Sequence, residues 1–237
     1  MPVRKIAAIS ILVLLSLIPA SAQVGNFIIS QHGHAVGTAS YNFAANADGY
    51  DSTSIVRIAM QGLNYSLSKT ERLSSANHLQ NVQLSAAVNG SAVTVTAKPD
   101  EAQMLLNISA NGYSTTTRLT QHPGTVFLAD FDPGALQTLL TLAAVQNNRD
   151  LWAVIPKQAG SVEPIQLATY ADQQGSLDDK PIVVHHLVVT IAAESTDLFS
   201  GPENQLLQAE LPQNGFALVR KGFVLTPPTK PGAPPTD

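Results

Sequence analysis

The stretch Val82-Gln83-Leu84-Ser85-Ala86-Ala87-Val88-Asn89-Gly90-Ser91-Ala92-Val93-Thr94-Val95-Thr96-Ala97-Lys98 decides the fold class. Val82, Leu84, Ala86 and Val88 fall on one face while Gln83, Ser85 and Ala87 fall on the other. After Asn89-Gly90, Val93, Val95 and Ala97 alternate in the same way with Thr94, Thr96 and Lys98. A period of two is the geometry of a half-buried strand, and an Asn-Gly pair tolerates the positive φ of a type I′ turn. The stretch therefore reads as a β-hairpin with one wet face.

The pattern continues outward. Met104, Leu106, Ile108 and Ala110 alternate with Leu105, Asn107 and Ser109, and further turn pairs stand at Asp48-Gly49, Asn111-Gly112 and Asn214-Gly215. Strands are predicted at 25–32, 34–45, 50–61, 64–73, 79–88, 92–98, 103–110, 113–119, 151–157, 164–171, 181–193, 205–211 and 216–224. One segment breaks the alternation. Asp132-Pro133-Gly134 offers an N-cap acceptor followed by proline at N1, and Leu136, Leu139, Leu140 and Ala143 recur at helical spacing, so a helix is predicted over 133–146. A sheet of this many strands curls as its twist accumulates. The expected fold is all-β: one curved antiparallel sheet or half-barrel over 23–225, with the helix packed on its concave side.

The composition narrows the function classes. At 44% hydrophobic and 13% charged, the chain has enough apolar material for a sizeable core. Thirteen Lys and Arg against seventeen Asp and Glu, a net charge of -4, give no electrostatic basis for nucleic-acid binding. The absence of cysteine removes disulfides, thiolate metal sites and thiol nucleophiles. Arg4 and Lys5 precede an apolar run from Ile6 to Pro19, and Ala20-Ser21-Ala22 supplies a signal-peptidase pattern. As a helix that run rises only about 21 Å, short of the roughly 30 Å hydrocarbon core. Residues 1–22 are thus expected to be a signal peptide, the mature chain to be secreted or periplasmic, and no transmembrane span to remain after cleavage. The proline-rich stretch 226–237 is expected to be a disordered tail.

The side chains offer few chemical sites. His32 and His34 flank Gly33, and an i, i+2 pair in extended backbone can hold a metal, although a turn at Gly33 would cancel that geometry. His185 and His186 are adjacent on a strand and must face opposite sides. Asp130 and Asp132 read as capping and solvated groups. No G-x-S-x-G, S-x-x-K, H-E-x-x-H, P-loop or G-x-G-x-x-G opens a helix, so the common hydrolase and nucleotide chemistries lack their geometry, and no cofactor is implied. Three sequons, at Asn64, Asn89 and Asn107, read as turn and strand chemistry.

The stretch Gly33-His34-Ala35-Val36-Gly37-Thr38-Ala39-Ser40-Tyr41 with Asp48-Gly49-Tyr50, together with Asn204-Gln205-Leu206-Leu207-Gln208-Ala209-Glu210-Leu211-Pro212, resembles an uncharacterised family of bacterial periplasmic β-proteins. The architecture is similar to the β-clam of periplasmic lipoprotein carriers. That resemblance implies an apolar ligand such as an acyl chain and supplies no catalytic residue.

The expectation is a non-catalytic binding protein that holds an apolar small molecule or lipid between the concave face and the helix. Leu136, Leu139 and Leu140 on the helix, with Met104, Leu106, Ile108, Val183, Leu187 and Val189 on the sheet, are the expected lining. One alternative is an envelope structural or assembly module that pairs with another envelope protein through strand edges. Another is a metalloenzyme using His32 and His34.

Overall fold

Eight consecutive hairpin-linked strands form the first part of the chain, and each is in register with the next. A computed structural model describes residues 22–147, 149–157 and 159–227. The predicted signal peptide, apart from Ala22, and the predicted tail beyond Pro227 lie outside the described residues. The meander comprises β1 (Gln23–Gln31), β2 (His34–Asn46), β3 (Gly49–Met60), β4 (Leu63–Ser74), β5 (Leu79–Val88), β6 (Ser91–Asp100), β7 (Gln103–Ala110) and β8 (Tyr113–Thr120). After a short β9 (Thr125–Phe127) comes helix α1 (Pro133–Val145), then β10 (Trp152–Ile155), β11 (Ser161–Pro164), β12 (Gln166–Thr169), β13 (Gln173–Leu177), β14 (Lys180–Ile191) and β15 (Glu194–Ser200). The chain closes with β16 (Leu206–Leu211), β17 (Phe216–Arg220) and β18 (Phe223–Leu225).

The turns explain the registers. Asn89-Gly90 and Asn111-Gly112 carry positive φ at both positions, as the type I′ geometry requires, and so does His32-Gly33. The other two turn pairs differ from expectation. Between β2 and β3 the two turn residues are Ala47 and Asp48, with the Asp48 amide donating to Asn46 Oδ1 at 2.8 Å, and Gly49 already belongs to β3. Asn214 closes a 3-10 turn (Pro212–Asn214) that leaves only Gly215 left-handed.

Both halves belong to one sheet because β1 pairs antiparallel with β17 as well as with β2. The order runs β18-β13-β14-β15-β16-β17-β1-β2-β3-β4-β5-β6-β7-β8, with β12 also on β14. This large antiparallel sheet curves without closing into a barrel, and the single helix packs on it, as the alternation predicts. The predicted strand 164–171 corresponds to β12, and the predicted 216–224 divides into β17 and β18.

Three short strands, β9, β11 and β13, are not anticipated by the sequence pattern. Strands of three to five residues give too few alternations to register a period. β9 and β10 pair in parallel, so β9-α1-β10 is a crossover unit whose helix lies inside the concavity, and β11 adds antiparallel to β10.

Helix α1 begins where expected. Asp132 Oδ1 accepts from the Gly134 amide at 2.9 Å and the Ala135 amide at 3.2 Å, with Pro133 in the first turn. Gln146 is its C-cap, so the helix ends one residue before the predicted boundary. Polar Gln137 and Thr138 are buried along with Leu139, Leu140, Leu142 and Ala143, so α1 is enclosed rather than lying with one face in water. The main core spans the concave face, α1 and the small sheet. A second cluster, Val184, Phe199, Leu207 and Phe223, covers the opposite face near β14. β14 is therefore apolar on both faces because both faces are covered.

Candidate functional site

Strands β4 to β7 present an apolar floor to the concave side. Their registers place Tyr65 opposite Val88, Leu84 opposite Val95, Ala86 opposite Val93, and Val95 opposite Ile108. Above this floor run Leu128, Ala129 and Asp130, which follow β9, and Pro156 and Lys157, which follow β10. Floor and roof enclose an open pocket of about 200 Å³. That is smaller than the roughly 300–1,000 Å³ of sites for drug-sized ligands, so it suits a short apolar group.

The rim carries the polar groups. Tyr65 Oη donates to the Asp130 carbonyl at 3.3 Å, and Lys157 Nζ pairs with Asp130 Oδ1 at 2.9 Å, where both side chains are about half exposed. Burial, reinforced by Asp130 and Asp132, pushes the Tyr65 phenol well above its ordinary range, so it stays a donor. The hydrogen bond to Asp130 raises the Lys157 pKa above the ordinary lysine value, so its charge persists.

Next to this pocket the concave face is filled. Lys69 and Glu71 point inward from β4, and their cross-strand neighbours on β3 are Ser54 and Ser52. Lys69 Nζ lies 2.6 Å from Glu71 Oε2 and 2.6 Å from Asp132 Oδ2, with all three side chains wholly buried. The Phe127 carbonyl, at 3.4 Å, accepts a further hydrogen bond from Nζ. Gly134 rests on Ser52 and Ser54, where a Cβ would collide with both hydroxyls.

Phe131 adopts φ of 58°, a costly conformation for a bulky side chain, and is held there by Tyr65 and Phe216. This kink precedes Asp132 and brings its carboxylate to Lys69. One turn on, Gln137 Oε1 accepts from Tyr41 Oη and from the Leu206 amide, both at 2.8 Å, and its Nε2 donates to the Asn204 carbonyl at 3.0 Å. Burial pushes the Tyr41 phenol up to about 12, which keeps it a donor.

The expected lining residues separate in space. Ile108 lines the pocket. Met104, Leu106, Leu139, Leu140 and Val189 are buried in the main core, Leu136 and Leu187 pack half-buried against it, and Val183 is 45% exposed. Tyr65, Leu84, Ala86, Val88, Val93 and Val95, which the sequence reading did not choose, complete the floor. Their signal was present, since the alternation already grouped Leu84, Ala86 and Val88.

His32 stands in the β1–β2 turn and His34 opens β2, both exposed, and among the described residues no group of three or more His, Asp or Glu could hold a metal ion. His185 pairs with Asp172 at 2.9 Å. His186 is stacked between Tyr170 and Phe199, and its Nε2 lies 2.7 Å from Asp197 Oδ1. Packing, the Asp197 carboxylate and the Gln173 amide, 3.4 Å from Nδ1, account for the His186 ring.

The chain matches no family model, no curated protein and no solved structure. The likeness to the periplasmic β-protein family rests on the quoted stretches alone.

Proposed function

We propose that this protein is a secreted or periplasmic non-catalytic binding protein, whose ligand places a short apolar group, such as the end of an acyl chain, in the pocket over β4–β7. The observation that carries this reading is an open pocket with an almost wholly aliphatic floor and a polar rim of Tyr65, Asp130 and Lys157. The floor favours a hydrocarbon, and the rim offers a donor and a charge pair to the ligand's polar end. Burying roughly six methylenes contributes about 5 kcal/mol before the costs of association, so binding is weak and reversible. The helix stays in place, because leaving would strip Gln137 and Asp132 of their buried partners.

Calorimetric titration of the folded chain with a medium-chain fatty acid tests this reading. Saturable binding that Ala86→Phe abolishes is expected. Absence of binding, or binding that Ala86→Phe leaves untouched, would reject the pocket.

A second reading, a module that recruits another envelope protein, draws on β8. This strand is one end of the large sheet, and its Tyr113 is 81% exposed. An unpaired strand edge can add a strand from a partner.

A further inference from the structure

We propose that Lys69 and Asp132 become joined by an intramolecular isopeptide bond, formed within the folded chain with Glu71 as its catalytic acid–base. Three features of the site converge on this condensation. The nucleophile is in place: Lys69 Nζ is 2.6 Å from Asp132 Oδ2, so the carboxyl carbon is one bond farther on. The electrophile is polarised, because the other oxygen, Oδ1, accepts from the Gly134 and Ala135 amides at 2.9 and 3.2 Å. Those two N–H groups at the start of α1 form an oxyanion hole for the tetrahedral intermediate. The proton carrier is also present, since Glu71 Oε2 is 2.6 Å from the same Nζ.

The surroundings favour the product. All three side chains are wholly buried, and Phe127, itself inaccessible, has its ring centroid 6.0 Å from Nζ. Water is excluded, so hydrolysis is suppressed, and condensation removes two charges from a site where charge is costly. Burial drives the Glu71 pKa upward, which favours its protonated, proton-donating form. Burial opposes the Lys69 charge, but its acidic neighbours, Asp132 foremost, outweigh it and hold its pKa above the ordinary value. The resting form is therefore an ion pair. Transfer of one proton from Lys69 to Asp132 leaves the proton count unchanged and gives an amine facing a carboxylic acid.

The step balances. The Nζ lone pair forms the bond to Cγ of Asp132, and the carbonyl pair moves onto Oδ1. Glu71 gives its proton to the Oδ2 hydroxyl and recovers one from nitrogen. The carbonyl re-forms as Oδ2 leaves as water. The product is a secondary amide whose oxygen, Oδ1, still caps the helix. It ties β4 covalently to the start of α1, and no oxidant or cofactor takes part.

Peptide mapping of the folded full-length chain provides the test. Trypsin should fail to cut after Lys69 and should release one branched species joining residues 58–72 to 119–149, lighter than the two peptides together by one water. Glu71→Gln should leave those segments separate and restore cleavage at Lys69. Asp132→Asn should give the same branched species, with ammonia leaving in place of water. Recovery of separate 58–69 and 119–149 peptides from folded wild-type chain would overturn the proposal. Full linkage in Glu71→Gln would remove Glu71 from it.

Discussion

Strand β4 crosses two unlike regions of one concave face. At Tyr65 it borders an open aliphatic pocket, and two and three alternations later, at Lys69 and Glu71, it lies beneath a helix that fills the space. The open region is roofed by two loop segments meeting at an exposed ion pair, which contributes little to stability. The filled region is held by buried polar groups that lose their partners if the helix moves. The contrast teaches that a helix inside a curved sheet need not be a lid. Here its buried polar side chains bind it to the sheet, and the open pocket lies beside it.

The sharpest way to break this comparison is to remove Lys69 from the filled region. Lys69→Met leaves Glu71 and Asp132 facing each other in a dry site and should cost about 3–5 kcal/mol, read from the urea midpoint. A change near zero would mean that the region admits water like its neighbour.

Gln137→Leu orphans Tyr41 Oη and the Leu206 amide, and each unsatisfied group costs about 1–3 kcal/mol. Gly134→Ala reverses an ordinary rule. In an exposed helix it would stabilise by about 1 kcal/mol, but against Ser52 and Ser54 it should destabilise by about 1–3 kcal/mol. Stabilisation would show a gap between helix and sheet.

The pH profile gives a smaller effect of definite sign. Burial makes folded Glu71 hold its proton above the ordinary carboxylate value of 4.5, so the folded chain binds more protons than the unfolded one over that range. This contribution is complete below the ordinary value and fades as pH rises through the folded pKa. Glu71→Gln should flatten that decline, as measured by denaturation at stepped pH. In the open region, Ala86→Phe should leave the urea midpoint nearly unchanged while removing ligand binding. A large loss of stability would mean that the pocket is already packed.

Much of the filled region was readable from the chain. Asp132-Pro133-Gly134 and the leucines after it locate α1 to within a residue of its end. Lys69 and Glu71 follow Tyr65 and Leu67 in strict alternation and precede Leu73, so their inward direction was legible in the phase of β4, a signal missed because charged residues are ordinarily assigned to solvent. The floor of the pocket was equally legible in the alternation of β5 and β6. Its roof was not. Leu128, Ala129, Pro156 and Lys157 reach the floor only through the β9-α1-β10 crossover, whose first strand, three residues long, does not announce itself.

Hydrogen exchange of the full chain with and without a medium-chain fatty acid tests the division of the concave face most directly. The account predicts that α1 amides exchange only through global unfolding in both states, and that the ligand adds protection around 84–95, 106–108 and 128–130. Early exchange of α1, or its loss of protection when the fatty acid is added, would contradict it and make the helix a moving lid.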